Sequence, residues 1–169
     1  MNGLKFTNVD RTKFDDALKM VCYFFDVEKL LPDQVEAIER FLSGKDIYFS
    51  APTGYGKSLI FQCLPMVVDL LTDAALGTCI AVVISPLKAL MLDQVSKLRR
   101  DTGVTAAAIF DGQDEEVLKS IENGEYSLAY ASPESLLTSD RWRNMLSSQY
   151  FREHCKILVV DEAHCIVHW

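Results

Sequence analysis

Leu158-Val159-Val160-Asp161-Glu162-Ala163-His164 is an apolar run that leads directly into two carboxylates and a histidine. Such a run predicts a buried strand whose carboxyl end presents the polar side chains. Far upstream, Ala51-Pro52-Thr53-Gly54-Tyr55-Gly56-Lys57-Ser58 follows another short apolar segment. Its glycines, lysine and serine are typical of a loop that wraps phosphate groups. Together the two stretches predict a nucleoside-triphosphate site, with phosphate binding in the first and hydrolysis in the second.

The loop at 51–58 carries residue types that each serve phosphate binding. Gly54 and Gly56 permit positive φ and a close backbone approach to phosphate oxygens. Lys57 is placed to reach the β- and γ-phosphates, and the Ser58 hydroxyl to bind Mg²⁺. Ala51 stands where the strict pattern has glycine, so an ordinary glycine-rich turn is the alternative. The candidate nucleotide-binding residues here are Thr53, Gly54, Tyr55, Gly56, Lys57 and Ser58.

The second stretch predicts the hydrolytic half of the site. Adjacent carboxylates after a buried strand are unfavourable unless a cation compensates them. We expect Asp161 to hold Mg²⁺ through water and Glu162 to orient and deprotonate the attacking water. His164 is expected to sense the γ-phosphate or to link it to neighbouring segments. The alternative is that Asp161 and Glu162 cap a following helix. The candidate catalytic residues are Lys57, Asp161, Glu162 and His164.

Apolar segments that alternate with helical patterns predict an α/β fold. The expected strands are 47–50, 79–85, 104–110, 127–131 and 157–160. The first expected helix carries Phe14–Phe25 after an N-cap at Asp10, the second follows Pro32 and ends at Gly44, and the third opens near Lys57. Further helices are expected over 87–100, 114–122 and 133–149. Pro65 is expected to kink or end the helix that opens near Lys57. Near-continuous apolar strands indicate a parallel sheet covered on both faces, with ligands at the carboxyl ends of its strands.

Composition limits the class of protein. The 169 residues are 49% hydrophobic and 24% charged, as in one globular domain. The sequence has no signal-peptide pattern and no apolar run near the ~20 residues that cross a bilayer, so we expect no membrane association and no secretion. A net charge of −7 opposes bulk attraction to nucleic acid, so any such contact is local.

The cysteines indicate free thiols. Their number, five, is odd and they lack CxxC spacing, which favours a reducing compartment. His154-Cys155 and His164-Cys165 invite a zinc site. However, His164 already belongs to the carboxylate motif and Cys155 reads as a buried thiol. We therefore expect no zinc within this chain.

Nearly the whole chain, about residues 14–169, resembles the first RecA-like lobe of a superfamily 2 helicase of the RecQ family. Residues 161–164 match its DEAH box, and alanine is common at the first position of the phosphate loop in this superfamily. Leu30–Gln34 is similar to motif 0, in which Gln34 would read the adenine edge. Residues 85–95 are similar to motif Ia, and residues 130–136 to the later segment usually written with Ala-Pro-Glu-Arg. The stretch from Asp161 to Ile166 followed by Trp169 is the most family-specific.

The resemblance implies a three-layer P-loop (RecA-like) domain with a parallel sheet. A helical segment, 1–26, would precede the first RecA-like lobe at 27–169, which stops just after motif II. The expected contacts to single-stranded nucleic acid are Ser85, Pro86, Leu87, Lys88, Ser132, Pro133, Glu134 and Trp169. In the family, the tryptophan opens an aromatic-rich loop that couples DNA contact to hydrolysis.

The resemblance also implies the activity of the complete protein. That activity is ATP-dependent 3′-to-5′ unwinding of DNA for repair and recombination, with ATP and Mg²⁺ as cofactors and single-stranded and duplex DNA as partners. The family's motif III, second lobe with its arginine finger, and zinc-binding region are expected beyond Trp169, so residues 1–169 alone are expected to be inactive. The expected location is nuclear, or cytoplasmic in a prokaryote.

Several departures from the family keep two alternatives open. Val27 and Leu31 stand where aromatic and basic residues often contact the nucleotide, so adenine selectivity is expected to be looser. Ser135 and His168 replace the usual arginine and glutamine. The alternatives are the lobe of an RNA-acting superfamily 2 helicase and a truncated, non-catalytic nucleotide-binding module.

Overall fold

The computed structural model describes Phe6, residues 10–102 and residues 104–163. It divides into two compact units, the first ending at Leu76 and the second beginning at Gly77. No helix within the described ranges is long and apolar enough to cross a membrane. The boundary expected at residue 26, between a helical segment and the lobe, stays a prediction.

Three helices form the first unit: α1 (Arg11–Phe24), α2 (Pro32–Leu42) and α3 (Lys57–Leu71). The predicted cap of α1 is confirmed, because the Asp10 carboxylate accepts hydrogen bonds from the amides of Thr12 and Lys13. Helix α2 begins at a proline, as predicted. It ends just before Gly44, whose φ of 85° closes the helix in the left-handed region.

Pro65 was expected to kink or end α3. The expected kink stays a prediction, but Pro65 does not end the helix, which continues to Leu71. Its flanking turns bury Cys63, Leu64, Val67 and Val68. Burying each apolar side chain contributes about 1.5–3 kcal/mol, which offsets the local cost of roughly 3 kcal/mol for a helix-interior proline.

The segment Ile47–Ser50 does not form the predicted strand. Its side chains alternate between half-buried and exposed, and Tyr48 is 85% exposed. That alternation fits a strand, but a strand also requires a hydrogen-bonded neighbour. In the part of the chain that the structure describes, no ladder joins this segment to another strand.

The second unit is built on a parallel four-stranded sheet, as predicted. Its strands are β1 (Ile80–Ile84), β2 (Ala106–Ile109), β3 (Leu128–Ala131) and β4 (Cys155–Val160). They lie in the order β2-β3-β1-β4, and every neighbouring pair is parallel. The accompanying helices are α4 (Lys88–Asp101), α5 (Glu115–Glu122), α6 (Pro133–Thr138), α7 (Asp140–Ser147) and α8 (Gln149–His154). The helical stretch expected at 133–149 therefore forms three short helices and extends to residue 154.

The side chains of β1, β2 and β3 are buried on both faces of the sheet, apart from the half-buried Ile84 at the end of β1. On one face the sheet packs against Ile121, Leu136, Trp142, Met145 and Phe151, which come from α5 to α8. Side chains of the opposite face, such as Val83 and Tyr130, are also fully buried. Burial on both faces explains why these strands read as unbroken apolar runs. In β4, by contrast, Leu158 is 56% exposed.

Four of the five cysteines, Cys22, Cys63, Cys79 and Cys155, are free thiols, as predicted. Burial raises the pKa of Cys63 to about 12 and that of Cys155 above its ordinary value. Because the thiolate is the reactive form, these two side chains serve as apolar core residues. Cys165 lies outside the described residues.

One arginine joins α5 to α7. The Arg141 guanidinium donates two hydrogen bonds to Glu115, at 2.9 and 3.0 Å, and two to Glu122, at 2.7 and 2.9 Å. It also lies over the Trp142 ring, with Cζ 4.9 Å from the centroid. These bonds lower the pKa of Glu115 below its ordinary value. The contribution of Glu115 to stability is therefore present at neutral pH and lost as the pH falls through its folded-state pKa.

We expect Arg141→Met to lower the free energy of unfolding by about 1 kcal/mol at neutral pH, since it removes a charged network rather than one exposed pair. The matched control is Arg143→Met, because Arg143 pairs locally with Asp140 on the surface. Urea unfolding at pH 7 and below the ordinary titration range of glutamate measures both variants. Equal losses in the two variants, or a loss at Arg141 that does not shrink in acid, would contradict this account.

Candidate active site

Both glycines of the loop at 51–56 have a left-handed backbone conformation. Gly54 and Gly56 have φ values of 83° and 85°, in the left-handed region that favours glycine. A Cβ at Gly56 would lie 2.8 Å from the Gln34 amide nitrogen, whereas a Cβ at Gly54 would meet nothing within 4 Å. Gly56 is therefore fixed by both its φ and its close packing, and Gly54 leaves open space at the loop.

Backbone donors are free where the loop enters α3. Within the described residues, the amides of Gly54, Gly56, Lys57 and Ser58 donate no hydrogen bond to a backbone carbonyl. Unpaired amides at a helix N-terminus attract anions, because the helix dipole adds partial positive charge at the same point. The loop thus has the electrostatic character of a phosphate site.

The Lys57 side chain lies back over this loop. Its ammonium group donates to the carbonyl oxygen of Ala51 at 2.7 Å and to that of Pro52 at 3.1 Å. Both acceptors are neutral, so a phosphate oxygen would be the stronger partner for the same charge. The lysine therefore sits within the loop that it is expected to serve.

Gln34, the predicted adenine reader, contacts the loop instead of facing solvent. Its side chain is 3% exposed. The Gln34 Oε1 accepts from the Leu31 amide at 2.9 Å, and Nε2 lies 3.3 Å and 3.2 Å from the carbonyl oxygens of Tyr55 and Gly56. The start of α2 and the phosphate loop are thus hydrogen-bonded to each other.

In the second unit, the acidic pair directly follows β4. The Asp161 amide donates to the Ile84 carbonyl at 2.9 Å, which extends the ladder with β1. One Asp161 oxygen accepts from the Glu162 amide at 3.0 Å, and the other from the Gln94 side chain at 3.3 Å. Glu162 has a φ of 52°, an unfavourable conformation for a side-chain-bearing residue. Strained backbone of this kind concentrates at functional sites.

The oxygen donors in each unit suit magnesium. Asp161 and Ser58 offer carboxylate and hydroxyl oxygens, which hard cations prefer. The Asp161 carboxylate has about four acceptor positions and uses two of them in the contacts above. The described residues contain no group of three or more histidine, cysteine or acidic side chains that could hold a metal.

The predicted nucleic-acid contacts follow β1 and β3, which are neighbours in the sheet. Leu87 is 59% exposed and Lys88 is also exposed, with its Nζ 3.9 Å from the centroid of the Phe110 ring. Ser132 caps α6 by accepting from the Ser135 amide at 3.2 Å. The remaining positions differ in exposure: Pro86 is half-buried, Pro133 is buried and Glu134 is exposed.

Ser85 differs from the other predicted nucleic-acid contacts. It is fully buried, and its hydroxyl has no hydrogen-bond partner within the described residues. The Ser85 side chain therefore cannot contact a nucleic-acid strand in this conformation. His164 and Trp169, two further predicted site residues, lie outside the described residues.

Three contacting residues were not singled out from the sequence. Asp33 accepts a hydrogen bond from the Tyr55 hydroxyl, Gln94 reaches Asp161, and Phe110 stacks under Lys88. Gln94 and Asp161 meet because β1 and β4 are neighbours, and chain order does not specify that pairing. The sequence carries a weak indication that Asp33 belongs to the site, since Asp33 lies in the first turn of the helix that bears Gln34.

Comparison with known proteins identifies the family. The DEAD/DEAH box helicase family matches residues 31–169. The chain is 36% identical over 160 residues to the ATP-dependent helicase SGS1 of Saccharomyces cerevisiae, which covers 92% of this chain and 11% of that protein. It is 34% identical over 164 residues to the ATP-dependent DNA helicase RecQ of a Synechocystis species, covering 95% of this chain and 31% of that protein.

A third relative is the RecQ-like DNA helicase BLM of Xenopus laevis, 33% identical over 153 residues, which are 86% of this chain and 10% of that protein. The chain therefore spans between a tenth and a third of the length of these relatives. The parallel sheet and the phosphate loop agree with the family match, which covers more than half of the sequence. The chain belongs to the DEAD/DEAH box helicase family, with RecQ-type helicases as its relatives.

Proposed function

We propose that this chain is the ATP-binding amino-terminal motor lobe of an ATP-dependent DNA helicase of RecQ type. The observation that carries the proposal is the loop at 51–58, with its two left-handed glycines and its unpaired amides at the start of α3. The names of the relatives, which are DNA helicases, favour DNA over RNA as the nucleic acid.

Nucleotide binding is assigned to the first unit. The amides of Gly54, Gly56, Lys57 and Ser58 donate to phosphate oxygens, and the Lys57 side chain exchanges its two carbonyl partners for the β- and γ-phosphates. Ser58 contributes a hydroxyl ligand to the cation. Gln34 is the candidate for the adenine edge, which requires its amide to leave the carbonyls that it now contacts. Thr53 is exposed on the same loop and can add a further hydroxyl contact.

Hydrolysis is assigned to the carboxylates that follow β4. When bound, Mg²⁺ supplies charge neutralisation at the phosphates and orients their oxygens. Asp161 would hold the ion, and the Gln94 side chain fixes the orientation of that carboxylate. Glu162 accepts a proton from the attacking water as the water oxygen bonds to the γ-phosphorus, while the opposite bond from that phosphorus to the bridging oxygen breaks and ADP leaves with the oxygen. His164 is proposed to link the γ-phosphate to neighbouring segments.

Contact with single-stranded DNA is assigned to the residues that follow the carboxyl ends of β1 and β3. Exposed Lys88 and the amides near Ser132 can hold phosphates of a single strand without reading its sequence. With a net charge of −7, the lobe by itself is proposed to bind DNA weakly, and residues 1–169 alone to hydrolyse ATP slowly. The proposal also includes a second lobe in cis that supplies an arginine finger, and unwinding with 3′-to-5′ polarity. The proposed roles are DNA repair and recombination, and the proposed location is nuclear, or cytoplasmic in a prokaryote.

The first test concerns the phosphate loop. Lys57→Ala should weaken ATP binding by roughly tenfold to a hundredfold, the scale of a lost hydrogen bond to a charged group. The control is Lys45→Ala, since Lys45 is exposed and belongs to the same unit. Titration of a fluorescent ATP analogue measures both variants, and thermal unfolding confirms that both are folded. Equal affinities for wild type and Lys57→Ala would refute the assignment of residues 51–58.

The second test separates binding from hydrolysis. In a form of the protein that hydrolyses ATP, Glu162→Gln should keep ATP–Mg²⁺ binding but slow phosphate release by about a hundredfold or more, because a general base is lost. Glu153→Gln is the matched control, since Glu153 is exposed and, among the residues that the structure describes, accepts a hydrogen bond from Gln149 on its own helix. Normal turnover by Glu162→Gln would show that the carboxylate pair does not carry out hydrolysis.

A further inference from the structure

A tyrosine at the tip of the phosphate loop is tied to the start of α2. The Tyr55 hydroxyl donates to the Asp33 carboxylate at 2.7 Å. The next residue along α2, Gln34, reaches the carbonyl oxygens of Tyr55 and Gly56. Asp33 therefore holds the side chain of Tyr55, and Gln34 holds its backbone.

This tether acts on a segment whose two glycines give its backbone unusual conformational freedom. Tyr55 lies between two left-handed glycines, and glycine has the largest conformational freedom to lose on ordering. Fixing one residue's backbone costs about 1–2 kcal/mol in entropy. An anchor at Tyr55 therefore orders the loop before any ligand arrives, and it does so from outside the row of amides that a phosphate would contact.

The tether is strong for a surface contact. Asp33 is an acidic residue in the first turn of α2, where the helix dipole favours its charge. A hydrogen bond from a hydroxyl to a carboxylate is about twice as strong as one between neutral groups. This bond raises the pKa of Tyr55 above its ordinary value, so the hydroxyl stays protonated and remains a donor. The Tyr55 ring also packs near Phe49, with centroids 6.1 Å apart.

We propose that Tyr55 is a positioning residue which, through Asp33, holds the phosphate loop in its anion-binding conformation. This inference rests on the proposed function, because it assigns the ordered loop to phosphate binding. It goes further by naming the part of the ligand whose binding depends on the tether. That part is the phosphate chain and not the base. The tether should therefore raise affinity for ATP, for GTP and for a triphosphate without any nucleoside by the same factor.

The experiment compares wild type, Tyr55→Phe and the control Tyr23→Phe. Tyr23 is 81% exposed on α1 and carries the same hydroxyl. Binding of ATP, GTP and inorganic tripolyphosphate is measured with Mg²⁺ by competition against a fluorescent nucleotide. We expect Tyr55→Phe to lose about three- to tenfold in affinity for all three ligands, the scale of one hydrogen bond. Tyr23→Phe should match wild type.

A double-mutant cycle identifies Asp33 as the partner. Asp33→Ala should lose as much affinity as Tyr55→Phe, and the double variant should lose no more than either single one, because one interaction is removed in each case. Asp33→Asn keeps an acceptor oxygen and should lose less. Melting temperatures without ligand report folding, and the Asn variant serves if either of the more disruptive changes unfolds the protein.

The outcomes separate this inference from the function on which it rests. If wild type binds neither ATP nor tripolyphosphate, the proposed function fails. If wild type binds both ligands and Tyr55→Phe binds them equally well, only the positioning role is overturned. A loss confined to ATP would also overturn it, since it would place Tyr55 against the base. Additive losses in the cycle would show that Tyr55 and Asp33 act independently.

Discussion

The parallel pairing of β1 with its two neighbours is the constraint on which the second unit depends. β1 bonds to β3 on one side and to β4 on the other, so three chain segments end at one edge of the sheet. The ladders continue past the strands, through the amides of Ser85 and Asp161. That extension fixes the polar residues which follow each strand at positions set by backbone geometry. Because Gln94 comes from the helix after β1, the same pairing brings it to the carboxylate after β4.

The first unit shows a different physical solution to the same need for fixed polar groups. Its loop has no ladder within the described residues and is ordered by side chains of α2. Gln34 uses both ends of its amide within the protein, and it is buried while doing so. Burying a polar group is favourable only when its hydrogen bonds are satisfied. Release of this amide toward a base would therefore require new partners for two loop carbonyls, so base contact and loop shape are linked through one side chain.

Much of this architecture could be predicted from the sequence, and the exceptions have physical causes. The buried strands were predictable because burial on both faces leaves an unbroken apolar run. The cap at Asp10 and the turn at Gly44 were predictable because each depends on local chemistry. Pro65 does not end α3, since the packing of the flanking turns outweighs its local penalty. Ile47–Ser50 was misleading because a strand depends on its partner as well as on its own residues. Strand order, and with it the contact between Gln94 and Asp161, depends on pairings between segments far apart in the chain.

The backbone at Glu162 has a consequence for how this protein can change over evolutionary time. A left-handed conformation costs a residue with a Cβ roughly 1–2 kcal/mol relative to glycine. Replacement of Glu162 by glycine or asparagine would therefore increase thermal tolerance while removing the carboxylate. The backbone and the proposed hydrolysis therefore make opposite demands on this position, since the conformation favours glycine and the proposed chemistry needs the acid.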